Sequence, residues 1–337
     1  MSREAMLYEK KEDGKTACRL CAHACVVASS KRGICGVREN REGILYALNY
    51  GRIVAENVDP IEKKPLFHFL PGSRSYSIAS AGCNFRCRFC QNYEISQMPA
   101  ETGRIPGMMT EPGEIVRRAV ESGSRSISYT YTEPTIFFEF AYETAKRARE
   151  EGLRNVFVTN GYMTGEALDR IEPYLDAANV DLKAFTDDFY RKYCGARLEP
   201  VLETLKRMKE KSIWLEVTTL VIPGLNDGRE ELRKIAGFIR SIGPETPWHI
   251  SRFHPRYRMM DLPPTELENL HEAAKIGKAE GLEHVYTGNV PGDDWEQTRC
   301  SRCGTTLVRR FGYSVGKWNL KNGACPECGT PLAGVFR

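Results

Sequence analysis

From residue 76 onward, short apolar runs alternate with longer amphipathic stretches. Runs at 126–131, 155–159, 178–182, 213–222, 248–253 and 283–287 have strand length and β-branched or aromatic character. Between them, 114–122, 135–151, 166–175, 200–211, 229–241 and 265–281 carry apolar residues at helical spacing. Such βα alternation predicts a parallel sheet or barrel. Each strand ends in a polar or Gly/Pro tip: Thr132-Glu133-Pro134, Thr159-Asn160-Gly161, Asp181-Leu182-Lys183, residues 223–227, His254-Pro255 and residues 288–292. With a cysteine loop after the run that starts at Tyr76, seven strand ends bear such tips. In a (β/α) barrel these ends converge, so the tips are expected to face one mouth.

The flanks follow other patterns. Residues 44–55 read as two short strands around a turn at 49–52, and 59–72, with Pro60, Pro65 and Pro71, as an extended strap. The expected division is a small amino-terminal module with its strap at 1–72, a barrel domain at 73–296 and a β-rich terminal unit at 297–337.

Composition narrows the class. The chain has 337 residues, 41% apolar and 27% charged, and Lys plus Arg exceed Asp plus Glu by four (48 against 44). A cored α/β protein follows. The absence of a block of like charge argues against a nucleic-acid partner. No apolar run reaches membrane-spanning length and the start is polar, so a cytoplasmic location without a membrane partner is expected.

Twelve cysteines change the picture more. Eleven fall into three groups at CxxC-like spacings, which is the metal pattern of a reducing compartment. Cys18, Cys21, Cys25 and Cys35 form a knuckle that suits zinc or an iron–sulfur cluster, and His23 between them is read as a bystander. Cys300, Cys303, Cys325 and Cys328 are two CxxC-Gly knuckles around a β-rich stretch, the pattern of a structural zinc ribbon. Cys83, Cys87 and Cys90 stand as a CxxxCxxC loop with no fourth cysteine close by. Structural zinc closes a shell of four, whereas a cubane cluster held by three cysteines keeps one iron open. Cys194 is left over and reads as a buried structural thiol.

The loop, with Phe89 before its last cysteine, resembles that of the radical S-adenosylmethionine (SAM) superfamily. Residues 90–96, 129–134, 159–162, 180–183 and 286–290 are similar to the pyruvate formate-lyase activating-enzyme-like members. The long amino-terminal cysteine module is similar to the radical enzymes of the AmmeMemoRadiSam system. The resemblance spans residues 18–292 and implies a partial (β/α)6-type TIM barrel. It also implies a [4Fe–4S] cluster on Cys83, Cys87 and Cys90, SAM on its open iron, and an external one-electron reductant of flavodoxin or ferredoxin type.

By the same resemblance, SAM contacts fall at Phe89, Tyr131, Thr132, Glu133, Thr159, Asn160, Asp181 and Lys183. Where relatives have a Gly-Gly-Glu turn this chain has Tyr131-Thr132-Glu133, which keeps only the carboxylate. The alternative for Glu133, behind the ligand role, is the acid at a helix start, and for Asp181 with Lys183 it is a buried ion pair. Strand periodicity puts Glu216 with Thr218 on one face, and His249 with Ser251. Glu216, Thr218, His249, Arg252 and His254 are the substrate-side candidates.

The expected function is reductive SAM cleavage, giving a 5′-deoxyadenosyl radical that takes hydrogen from an unnamed substrate. One alternative is an activase of a glycyl-radical enzyme, acting on a partner protein. From another class, a non-catalytic multi-zinc scaffold or nucleic-acid adaptor would use all three cysteine groups.

Overall fold

A computed structural model of the chain describes residues 2–336. The predicted parallel run is present. Its strands are β1 (Arg74–Ser80), β2 (Ser126–Tyr129), β3 (Arg154–Thr159), β4 (Ala177–Asp181), β5 (Trp214–Val221), β6 (Trp248–Arg252) and β7 (Val285–Gly288). They pair in that order, every neighbour parallel. The crossover helices are α1 (Pro112–Glu121), α2 (Phe138–Glu150), α3 (Gly165–Ile171), α4 (Glu199–Glu210), α5 (Arg229–Ile242) and α6 (Leu267–Ala279). Six βα units therefore precede a seventh strand.

Each helix covers the sheet for the reason its pattern gives. In α5, Leu232, Ile235, Ala236 and Ile239 recur at helical spacing and are all buried. In α3, the hydroxyl of Thr164 accepts from the Ala167 amide at 3.2 Å and caps the first turn. The strands are buried on both faces, as helix-covered parallel strands must be.

The sheet stays open. On its outer side β1 pairs antiparallel with Arg52–Pro60, which in turn pairs with Met108–Met109. The sheet is thus mixed, a partial barrel rather than a closed one.

The flanks depart from the expected division. Residues 44–47 and 52–60 do not form a hairpin together. Ile44–Ala47 joins Arg38–Arg41 and Arg3–Glu4 in a small separate sheet, whereas Arg52–Pro60 belongs to the main sheet. A boundary at residue 72 therefore falls inside the barrel unit, because the backbone of 52–60 satisfies the edge of β1. The strap that follows turns inward and buries Leu66, Phe67, His68 and Phe69.

The terminal unit is a three-stranded antiparallel sheet of Thr298–Arg299, Thr306–Phe311 and Ser314–Trp318. It is docked, not tethered: Val335 bridges to Phe69, and the Val335 amide donates to the His68 carbonyl at 2.7 Å. No helix among the described residues is long and apolar enough to cross a membrane.

Candidate active site

The cysteine loop leaves β1 through Gly82, whose φ of +113° favours glycine and where a Cβ would meet Val37 at 3.0 Å. The segment 190–194 holds the loop: the amides of Arg86 and Arg88 donate to the carbonyls of Cys194 and Tyr193 at 2.7 and 2.9 Å. Cys194 is fully buried beside Cys87 and helps to raise its thiol above the ordinary range. The spacing of residues gave no signal for this contact, which is made across more than a hundred positions.

Cys83, Cys87 and Cys90 line one cavity of about 550 Å³ at the carboxyl ends of the strands. Burial raises the Cys83 and Cys90 thiols above the ordinary range, and the Cys194 contact together with burial raises Cys87. Phe89 lines the same cavity, with the Lys183 ammonium 5.8 Å from its ring centre. Lys183 pairs with Asp181 at 2.8 Å, and both face the cavity. Burial opposes the Lys183 charge, yet Asp181 and Cys87 hold it well above the usual lysine range. This ion pair stands at the cysteines.

Glu133 also lines the cavity, but its carboxylate is largely occupied. Oε1 accepts from the Thr135 amide at 3.0 Å and from the hydroxyls of Thr135 and Thr159 at 2.6 and 2.7 Å. Oε2 accepts from the Asn160 amide at 2.8 Å, which leaves it one further acceptor position. Burial pushes the pKa up against these donors. Glu133 thus both caps the turn before α2 and ties the β2 tip to the β3 tip. Thr159 and Asn160 line the cavity from that tip, and Asn160 Nδ2 donates to Asn84 Oδ1 at 2.7 Å.

Tyr131 has φ of +61°, a backbone conformation that favours glycine, and its hydroxyl donates to Asp59. Lys64, paired with Asp59 at 2.7 Å, lies 4.5 Å from the Tyr131 ring centre. The Thr132 hydroxyl donates to the Ser80 carbonyl at 2.7 Å. Both Tyr131 and Thr132 line the cavity, but with their polar groups committed to the fold.

The substrate-side candidates separate. Thr218 lines the cavity. Glu216 does not: it is fully buried below, and each of its oxygens takes two donors. The amides of Phe67 and His68 reach it at 3.0 and 2.8 Å, Trp214 Nε1 at 3.0 Å and His249 Nε2 at 2.7 Å. Glu216 and His249 hold the strap and do not line the cavity. Arg252 donates from Nε to the Thr265 carbonyl at 2.7 Å, and His254 is exposed, its carbonyl accepting from Gln91 at 3.3 Å. Neither lines the cavity. Lys64 from the strap and Tyr313 from the terminal sheet do, and no sequence pattern marks them.

The remaining cysteines differ in spacing. The sulfurs of Cys300, Cys303, Cys325 and Cys328 all lie within 4.8 Å of one another. Cys300 and Cys328 are 3.5 Å apart, Cys303 and Cys325 3.6 Å. Cys18, Cys21, Cys25 and Cys35 line a small void of their own.

An open parallel barrel whose strand tips gather three thiols, a lysine and an acid around one cavity defines a metal-dependent α/β enzyme. Residues 77–239 match the Radical SAM superfamily. A protein of Methanocaldococcus jannaschii described as uncharacterized is 47% identical over 333 residues, 98% of each chain. The pyruvate formate-lyase-activating enzyme of Clostridium pasteurianum is 23% identical, over 51% of this chain and 71% of its own. Among solved structures, Streptococcus suis SuiB bound to S-adenosylmethionine superposes with a TM-score of 0.51 at 15% identity, over 68% of this chain and 53% of that one. At that identity the likeness concerns the fold alone. Residues 77–239 thus form a radical SAM domain.

Proposed function

We propose that the cavity at the strand tips is the site of reductive SAM cleavage, with Cys83, Cys87 and Cys90 as the ligands of the [4Fe–4S] cluster that the family implies. The observation that carries this is the convergence of these three thiols, Asp181, Lys183 and Glu133 on one cavity. The donor set suits the group, since three thiols on one short loop leave a cubane one open corner. When bound, the cluster and SAM supply one-electron cleavage of the sulfonium and a 5′-deoxyadenosyl radical for hydrogen abstraction.

The chain's own residues bind and orient. Lys183 is placed to neutralise the SAM carboxylate, with Asp181 fixing the ammonium. The remaining acceptor position on Glu133 Oε2 suits the SAM ammonium. Phe89 offers an apolar face for the adenine. Thr218, from β5, and Tyr313, which also lines the cavity, lie where a substrate would enter. The electron comes from an external flavodoxin- or ferredoxin-type carrier. In the ribbon, sulfur spacings of 3.5 and 3.6 Å suit zinc, whose four thiolates at about 2.3 Å stand close together.

Anaerobic reconstitution with iron and sulfide, followed by dithionite and SAM, tests this reading. 5′-Deoxyadenosine and methionine are expected, and Cys87→Ala abolishes them. A folded protein that carries only zinc and leaves SAM intact contradicts it. A second reading, activation of a glycyl-radical enzyme, is supported by the named activating-enzyme relatives. It predicts that deuterium from a partner's glycine appears in the 5′-deoxyadenosine.

A further inference from the structure

The amino-terminal tetrad is built against the loop of the proposed active site. Gly36, with φ of +74°, lies so close to the helix Met98–Thr102 that a Cβ would meet the Pro99 carbonyl carbon at 2.7 Å. The Ala22 amide donates to the Tyr162 carbonyl at 3.0 Å, and the Thr164 amide to that of Leu20 at 3.2 Å. The knuckle therefore lies over the loop that follows β3. His23 Nε2 donates to the carbonyl of Asn84 at 2.8 Å. Asn84 itself lines the tetrad's void, while its neighbours Cys83 and Phe85 line the active-site cavity. One residue separates the two sites.

The two cysteine tetrads differ in ways that bear on what they hold. Among the described residues, the terminal tetrad is the group of metal-ligating atoms drawn within 4.8 Å. The amino-terminal four instead surround a void of about 20 Å³, together with Arg38, Asn84 and the apolar side chains of Leu20, Val27 and Ile136. Zinc holds sulfurs at about 2.3 Å, too close to admit even a water-sized sphere at the centre. A cubane spreads its thiolates, because each binds a different corner iron.

Two buried donors point the same way. Arg38 is 1% exposed and gives both terminal nitrogens to Glu139, at 2.8 and 2.6 Å, yet its Nε has no partner among the described residues. Asn84, also 1% exposed, has no partner for Nδ2 among the described residues. Unpaired buried N–H groups are costly and rare. The sulfides of a cluster offer acceptors over every face, and N–H donors to those sulfurs tune the potential.

We propose that Cys18, Cys21, Cys25 and Cys35 hold a second [4Fe–4S] cluster that passes its electron to the cluster of the Cys83–Cys90 loop. One electron enters the tetrad's cluster from the external flavodoxin- or ferredoxin-type donor, which is oxidised by one electron. The same electron moves on across Asn84, the tetrad's cluster returns to its oxidised state, and no bond forms or breaks. The relay rests on the function proposed above; the metal assignment does not.

Metal counting on the full chain, reconstituted anaerobically with iron and sulfide, tests the assignment. About eight irons per chain are expected, against about four in a Cys83→Ala/Cys87→Ala/Cys90→Ala variant. The iron that remains is reducible by dithionite and gives an EPR signal that SAM leaves unchanged. A folded loop variant that holds zinc and no iron overturns the assignment. Failure of the active-site reading shows differently: the loop variant then loses no iron relative to the unaltered chain. For the relay, the fully reduced protein is expected to give an EPR spectrum broadened by coupling between two neighbouring clusters. A spectrum equal to the sum of the loop variant and a Cys18→Ser/Cys35→Ser variant overturns it. If the latter does not fold, the microwave-power saturation of the unaltered protein decides: one uncoupled population overturns the relay, fast-relaxing coupled spins support it.

Discussion

Two groups of polar side chains lie at two levels of the barrel. At the mouth, Asp181, Lys183 and the three loop thiols face an open cavity. Lower in the barrel, Glu216, His249, His68 and Tyr286 face one another and the strap. The difference is saturation. Glu216 takes four donors, and His68 gives Nδ1–H to the Ala333 carbonyl at 2.7 Å while Nε2 accepts from Tyr286 Oη at 2.6 Å. Arg310, from the terminal sheet, donates to the Phe67 carbonyl at 2.8 Å and packs over the Phe67 ring. Such a network fixes strap, barrel and terminal sheet to one another, with both Glu216 oxygens and both His68 ring nitrogens engaged. The mouth keeps capacity in reserve for a ligand.

Mutations should separate the two groups. The largest effect on folding is expected from Glu216→Ala, which strands four buried donors and should cost about 3–5 kcal/mol in a urea titration. A loss below 1 kcal/mol would remove the contrast. At the mouth, Lys183→Met should leave the melting temperature nearly unchanged while SAM cleavage falls by about 100-fold or more. Equal losses of stability and activity would place Lys183 with the lower group.

The pH dependence follows from the lower group. Burial, reinforced by neighbouring His284, depresses His68 from 6.5 to about 3, with Glu216, Arg310 and Tyr286 also facing it. Burial holds His284 down to about 3 as well. The unfolded chain therefore binds more protons between these values. Stability is complete above about pH 6.5 and is lost as pH falls toward 3. Between pH 6.5 and 5 each histidine should remove roughly 1–2 kcal/mol, read as a lower urea midpoint. An unchanged midpoint would contradict neutral burial. The smallest effect is expected at the rim: Tyr313→Ala should change stability by under about 0.5 kcal/mol, because its side chain is half exposed. A larger loss would make the rim part of the scaffold.

This contrast also explains what could be read along the chain. The six βα units and their tips were legible, since burial on both sheet faces and one helix face leaves a periodic trace. The cysteine loop was legible because its chemistry is local. Periodicity assigned Glu216 and Thr218 to one face correctly, but face is not depth. Thr218 reaches the cavity from β5, and Glu216, two residues earlier, sits under it. No local pattern encodes the partners at Phe67 and His68, which lie almost 150 residues away. The same holds for Cys194 beside Cys87, for Arg310 inside the barrel and for Arg52–Pro60 on the sheet edge. Glu133 shows the mixed case, a helix-start acid and a cavity carboxylate at once.

The most direct measurement of the central claim is the EPR spectrum of the dithionite-reduced protein, recorded without and with SAM. The account predicts that SAM shifts the signal of the unaltered chain, and that the shift disappears in the variant lacking Cys83, Cys87 and Cys90. A reduced, iron-loaded protein whose spectrum does not respond to SAM would contradict it.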